Sequence, residues 1–229
     1  MARTPRSFTV RPGHSVHKVW RGHNRESNLG TDQQKQVYLD FLNADIENDK
    51  YKQGSALHAL TLMDNHTHEM NLIFIAKLFS DHMRRHHSRY GSYFNRENGR
   101  SGKVAEDRPH TTLIESWHQE METVFYIHAN PIRANMQDAQ RYYWSTHRLY
   151  AFGKREPWMR NVVLPKWYLN LGRNPEARQQ AYRRLFARYL EIHGQFKQNF
   201  LKKKFVGSVT WCDQQLKLVK AWRKSHAPP

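Results

Sequence analysis

Ala56-Leu57-His58-Ala59-Leu60-Thr61-Leu62-Met63-Asp64-Asn65-His66-Thr67-His68-Glu69-Met70 reads as a largely apolar run, a polar break, and a second run with two histidines one residue apart. Asp64-Asn65 suits a tight hairpin between two strands, Leu57 to Leu62 and His66 to about Leu72. Side chains on a strand alternate between faces. His66 and His68 are therefore expected on one face, ~6–7 Å apart along the strand, with Glu69 on the other as a helix-side or edge contact rather than a ligand. Two imidazoles so placed can close on one cation. Alone, the His-x-His spacing does not separate a metal site from half-exposed strand histidines in a His-rich chain.

Upstream of this pair, Val16-His17-Lys18-Val19-Trp20 mixes β-branched and aromatic residues and ends in the turn formers Arg21-Gly22-His23-Asn24, which predicts a first strand. Thr31-Asp32 opens a helix running to about Asn48. Downstream, the pattern from Ile73 to about Asn95 is helical, with Ile75, Leu78, Phe79, His82 and Met83 inward. Arg84, Arg85 and Arg89 lie outside, as a phosphate-contacting face or a solvated helix surface. Thr111-Thr112-Leu113-Ile114-Glu115 is a weak fourth strand, and Trp117 to Ile127 a helix stopped near Pro131. This order is a split βαβ arrangement plus one helix, and it predicts an α+β fold with a ferredoxin-like four-stranded antiparallel sheet and packed helices. The third strand is then central, and the added helix can pack beside its histidines.

The chain of 229 residues carries 37 Lys+Arg against 20 Asp+Glu, a formal charge of +17. Such an excess favours a polyanionic partner through counterion release, with nucleic acid first. Seven Trp, eleven Tyr and eleven Phe supply core packing and suit base stacking. Cys212 is the single cysteine, which excludes an intrachain disulfide and a Cys-based zinc cluster. No stretch approaches the ~18 apolar residues of a membrane span, and no apolar run follows the basic start, so a cytoplasmic protein is expected. Residues 1–15 read as a basic N-terminal arm, ordered on contact or loose, and 16–155 as the main domain. Residues 156–229 read as a helical basic C-terminal extension, with a helix from Pro175 to Ile192 that carries Arg183, Arg184 and Arg188, then Lys202-Lys203-Lys204 and Lys217 to Lys224.

Phe125-Tyr126-Ile127-His128-Ala129-Asn130-Pro131 supplies what the histidine pair lacks. Tyr126 and Asn130, four apart on a helix, share a face. Tyr126 can present a nucleophilic oxygen while Asn130 offers a carbonyl oxygen to the same cation. A phenol, with a reference pKa of about 10, needs a divalent ion mainly to polarise the scissile phosphate. With eleven tyrosines in the chain, a core aromatic with a capped hydroxyl is the competing reading of Tyr126.

Met63-Asp64-Asn65-His66-Thr67-His68, Tyr126-Ile127-His128-Ala129-Asn130-Pro131-Ile132-Arg133-Ala134 and Trp144-Ser145-Thr146-His147-Arg148-Leu149-Tyr150 together resemble the single-tyrosine transposases with a His-hydrophobic-His motif, in the branch associated with bacterial repetitive extragenic palindromes. His17 and Arg21-Gly22-His23-Asn24 are similar to that family's opening strand and turn. The resemblance covers roughly residues 14–155, making this the transposase-like catalytic domain. It implies a nuclease that cuts single-stranded or hairpin DNA by transesterification, leaving a 5′-phosphotyrosyl link and a free 3′-hydroxyl. Carried over by motif, Tyr126 is the nucleophile, His66 and His68 are metal ligands, Asn130 is the third ligand, and the ion is Mg²⁺ or Mn²⁺. Arg133 lies within the second motif. Asp107-Arg108-Pro109-His110 matches a region that handles DNA, so Arg133, Arg108 and His110 join Arg84, Arg85, Arg183 and Arg184 as candidate DNA contacts. The expected working unit is a monomer or homodimer, expected in the cytoplasm of a bacterium and associated with the nucleoid. Two departures stand out: Thr67 replaces the usual apolar residue between the histidines, and Glu69-Met70 follows where the family commonly has apolar residues.

Two other readings compete. A non-catalytic, domesticated nucleic-acid-binding protein with a ferredoxin-like sheet needs no Tyr126. A metal-dependent phosphodiesterase using water keeps the histidines but forms no covalent adduct.

Overall fold

Thr31 starts the first long helix with a capping box: its hydroxyl accepts from the Gln34 amide at 3.1 Å, and the Gln34 side chain accepts from the Thr31 amide at 3.2 Å. In the computed structural model, which describes residues 4–136, 138–193 and 203–226, that helix is the second element of the expected series. The series runs β1 (Ser15–Arg21), α1 (Asp32–Glu47), β2 (Ser55–Met63), β3 (His66–Ile73), α2 (Ala76–Glu97), β4 (His110–Ile114) and α3 (Trp117–His128). The hairpin is as tight as Asp64-Asn65 suggests, with Met63 paired to His66. After α3 come α4 (Asn130–Arg133), α5 (His147–Phe152), α6 (Lys166–Leu169), α7 (Pro175–His193), β5 (Phe205–Val206) and α8 (Val209–Ser225).

The strand order is β2-β3-β1-β4-β5. The first four strands are antiparallel, and β3 is central as expected. The sheet is nevertheless mixed and five-stranded rather than four-stranded and antiparallel, because β5 adds to β4 in parallel. Two residues beside a lysine run carry no strand signal. What makes β5 a strand is the open edge of β4, where the Leu113 and Glu115 amides donate to the Lys204 and Val206 carbonyls, each at 2.9 Å. The other edge is closed too: Leu62 donates to Trp144, Thr146 to Leu60 and Val163 to Leu57, again at 2.9 Å. Later parts of the same chain thus take up backbone groups along both β2 and β4, the two edges of the antiparallel part.

Register assigns the faces. His17, Val19 and Arg21 stand opposite Met70, His68 and His66, while Lys18 and Trp20 stand opposite Glu69 and Thr67. Helices α1 and α2 cover the second face: Tyr38 donates to Glu69 at 3.1 Å, and the His87 ring stacks on Trp20. Glu69 is therefore turned away from the histidines, as alternation requires, and closes a buried ion pair with Lys18 at 2.6 Å. Helix α3 covers the first face, with Tyr126 edge-on to His68.

The C-terminal extension does not stand apart. Trp158, Trp167, Tyr168, Tyr182, Phe186 and Tyr189 belong to the same buried cluster as Phe125 and Tyr126. Nor are the described residues of the N-terminal arm loose. Val10 joins Val16, Leu113, Phe205 and Val219 in a second cluster, and Thr9 bonds Thr111 at 2.6 Å. The arm and extension are amphipathic pieces whose apolar residues find one another only in three dimensions. No described helix is long and apolar enough to cross a membrane.

Candidate metal and nucleophile site

His66 and His68 project from one face of β3 with ring centroids 4.9 Å apart at 85°. A metal–nitrogen bond of about 2.1 Å puts an imidazole centre roughly 3 Å from the ion, so both rings can reach one cation. Their hydrogen bonds all run through Nδ1: His66 to Asn65 Oδ1 at 2.6 Å, and His68 to His17 Nε2 at 2.9 Å. Among the described residues no hydrogen bond is made by either Nε2, the arrangement in which metal-binding histidines are ordinarily held.

Electrostatics keep these rings neutral. Burial, then the charge of Arg21, pushes His66 down to about 4. Burial lowers His68 well below its usual range, aided by His66, His17, Arg21 and Arg133. Burial and the nearby His110 bring His17 down to about 3. At neutral pH all three carry lone pairs, the form a metal requires. Neutral imidazoles are donors that divalent first-row ions accept, and among the described residues no group of three or more His, Cys, Asp and Glu side chains is arranged to hold a metal.

Tyr126 sits beside His68 and His17, 9 % exposed, its ring 5.5 Å from the first and 5.9 Å from the second. Burial holds its phenol above the usual value, Arg133 pulls it back, Tyr189 raises it and Arg21 lowers it. The Arg133 guanidinium lies 5.0 Å from the centre of the Tyr126 ring and donates to the Tyr189 hydroxyl at 3.2 Å. Helix α3 is pinned near both ends. Glu120 accepts from Ser15 at 2.7 Å and Trp167 at 3.3 Å and bonds His58 at 2.7 Å. His128 bonds Tyr182 and Thr146, each at 2.7 Å.

The other expected site residues divide. The Asn130 side-chain amide donates to the Tyr126 and Ile127 carbonyls at 2.9 and 3.3 Å, which terminates α3, and none of its hydrogen bonds reaches the histidines. His110 shares the histidine face, separated from His68 by Val19, and also bonds the Lys203 carbonyl at 3.0 Å. Arg84 and Arg108 line a cavity of about 740 Å³ with Arg6, Trp20 and His87, on the opposite side of the sheet. Arg108 donates to the Thr4 carbonyl there at 2.6 Å. Arg85 joins Arg89 on the buried Asp45, and Arg183 holds the Ala151 carbonyl, so both have structural partners. Arg184 is exposed on α7. Lys202 lies outside the described residues.

Two neighbours of the site carried no functional expectation. Local pattern shows His17 only as a strand residue and Arg21 only as a turn former, because which strand pairs with β3, and in what register, is not written in it. Arg21 stands opposite His66 and makes no ion pair among the described residues.

Fold and site together define an α+β protein with a neutral histidine pair and a tyrosine on one face of a sheet, inside a strongly basic chain. No protein-family model matches the chain, and no curated protein sequence matches it. A solved structure does: that of a REP-associated tyrosine transposase bound to a REP hairpin, with a TM-score of 0.51 over 68 % of this chain and 89 % of that one, at 19 % identity. At that identity the likeness speaks to the fold.

Proposed function

We propose that this protein nicks and joins single-stranded DNA at hairpin or palindromic repeats, with Tyr126 as nucleophile. The observation that carries the reading is that Tyr126 stands edge-on to His68, itself beside His66 on one sheet face, from segments far apart in sequence. A pure binding module has no use for that constellation. The likeness to a transposase that binds a hairpin supports the substrate class.

His66 and His68 would hold Mg²⁺ or Mn²⁺, which supplies charge neutralisation and polarisation of the scissile phosphate. Tyr126 Oη attacks phosphorus as the P–O3′ bond breaks. The phenolic proton is lost, the departing oxygen takes one up as a 3′-hydroxyl, and a 5′-phosphotyrosyl ester remains. Joining is the reverse, with a new 3′-hydroxyl attacking. Arg133 and Arg21 favour the phenolate and the incoming phosphate alike. Asn130 serves by ending α3 at the right place, and a ligand role for its oxygen is part of this proposal.

The test is a covalent one. Hairpin oligonucleotides with single-stranded flanks are incubated with the protein and Mn²⁺, and denaturing gels are read for a protein–DNA species. Tyr126→Phe should abolish it while changing folding stability by about 1 kcal/mol or less, since the ring that packs is kept. An unaltered adduct in the variant assigns the nucleophile elsewhere. Binding without any adduct in the unaltered protein favours the non-catalytic reading.

A further inference from the structure

His17 is fully buried, so it cannot touch DNA, yet it meets both members of the site. Its ring stacks on His68 at 5.1 Å and 15°, and Tyr126 stands edge-on to it at 5.9 Å and 75°. Its Nε2 lies 2.9 Å from His68 Nδ1. Between two neutral imidazoles one nitrogen must donate and the other accept, so the proton position on one ring dictates that on the other. We infer that His17 is a positioning residue that accepts the Nδ1–H of His68 and so fixes that ring's tautomer and orientation, leaving the lone pair on Nε2.

The inference rests on the metal-site reading above, because it is that reading which requires Nε2 of His68 to be unprotonated. Metal-bound histidines usually give the other ring proton to a carboxylate, a backbone carbonyl or water. Here the acceptor is a second imidazole, supplied by the neighbouring strand through the pairing of His68 with Val19 and of Met70 with His17. His66 has its own acceptor in Asn65. The two ligands are thus set separately, one from the hairpin turn and one from β1. Stacking adds a steric constraint: with His17 on one side and the Tyr126 edge against it, the His68 ring cannot flip without displacing buried aromatics.

Long-range ¹H–¹⁵N correlation of ¹⁵N-histidine-labelled full-length protein reads tautomers directly, with His68 assigned by comparison with His68→Gln. The expected result is His68 as the Nδ1–H tautomer. His17→Phe, which keeps a ring for stacking, should move His68 toward Nε2–H or a mixture and weaken Mn²⁺ uptake, read by electron paramagnetic resonance of the free ion, by about 10–100-fold. His17→Gln can present an acceptor oxygen, and should keep the tautomer and most of the affinity. His68 as Nε2–H in the unaltered protein overturns the inference, and this is decided even if His17→Phe does not fold. A folded His17→Phe with unchanged tautomer and Mn²⁺ uptake also overturns it. If the unaltered protein takes up no Mn²⁺ while His68 is Nδ1–H and shifts in His17→Phe, the metal reading falls and the positioning role stands.

Discussion

Replacing Phe205 by Ala tests whether the basic C-terminal segment is scaffold or a detachable DNA arm. Phe205 is 5 % exposed, packed with Val10, Val16 and Leu113 and edge-on to Trp211 at 5.9 Å. Removing a buried phenyl ring costs about 3–5 kcal/mol, from lost transfer energy and the cavity left behind. For a chain of this size each kcal/mol lowers the melting temperature by roughly 2–4 °C. The expected drop is therefore about 6–20 °C, with a lower urea midpoint. The substitution removes no cation, so the salt dependence of hairpin binding should be unchanged. Removing exposed Lys217 and Lys224 on α8 should do the opposite, flattening that dependence by ~0.7–0.9 log unit per lost phosphate contact at little cost in stability. Urea unfolding followed by both fluorescence and circular dichroism, with salt titrations of binding, separates the two effects. A cost below about 1 kcal/mol for Phe205→Ala, with an unchanged m value, refutes the reasoning: β5 would then contribute almost nothing to the fold.

Acid should destabilise the protein steeply. Burial lowers His82 to about 3 and His147 to about 4, and holds His86 and His128 well below their usual range. Their folded values lie under the unfolded ~6.5, so their contribution is full above that pH. It is lost as pH falls toward 4, by up to about 1.4 kcal/mol per histidine per pH unit, and a urea midpoint that does not fall between pH 7 and 5 contradicts this. Lys18→Met leaves Glu69 charged and buried and should cost about 3–5 kcal/mol, with Lys18→Met/Glu69→Leu recovering much of it; calorimetry of both variants decides. His66→Ala, or removal of divalent ions with a chelator, should abolish the covalent DNA adduct while hairpin binding persists, and adduct formation at normal rates under either condition removes the metal from the mechanism.

The local signals were strong where one element suffices to make them. Alternation around His66 and His68, the capping pattern at Thr31 and the Asp64-Asn65 break each depend on residues within a few positions, and the antiparallel part of the sheet followed from their order. The same alternation turned Glu69 toward the helices. The protein partners of Arg85 and Arg183 leave no local trace, because a cation on a helix looks the same whether it meets phosphate or a buried Asp45 or a carbonyl. Spacing puts Asn130 on the Tyr126 face of the helix but does not show which hydrogen bonds its side-chain amide makes there. Sequence by itself therefore determined the order of elements, the charge, and the histidine pair and tyrosine as candidates. Only the tertiary structure decided that β5 closes the sheet, that the two ends share a core, and that His17, Arg21 and Arg133 surround the site. The physical reason is that these depend on strand register and on long-range burial, which bring together residues whose separation along the chain leaves no periodic trace.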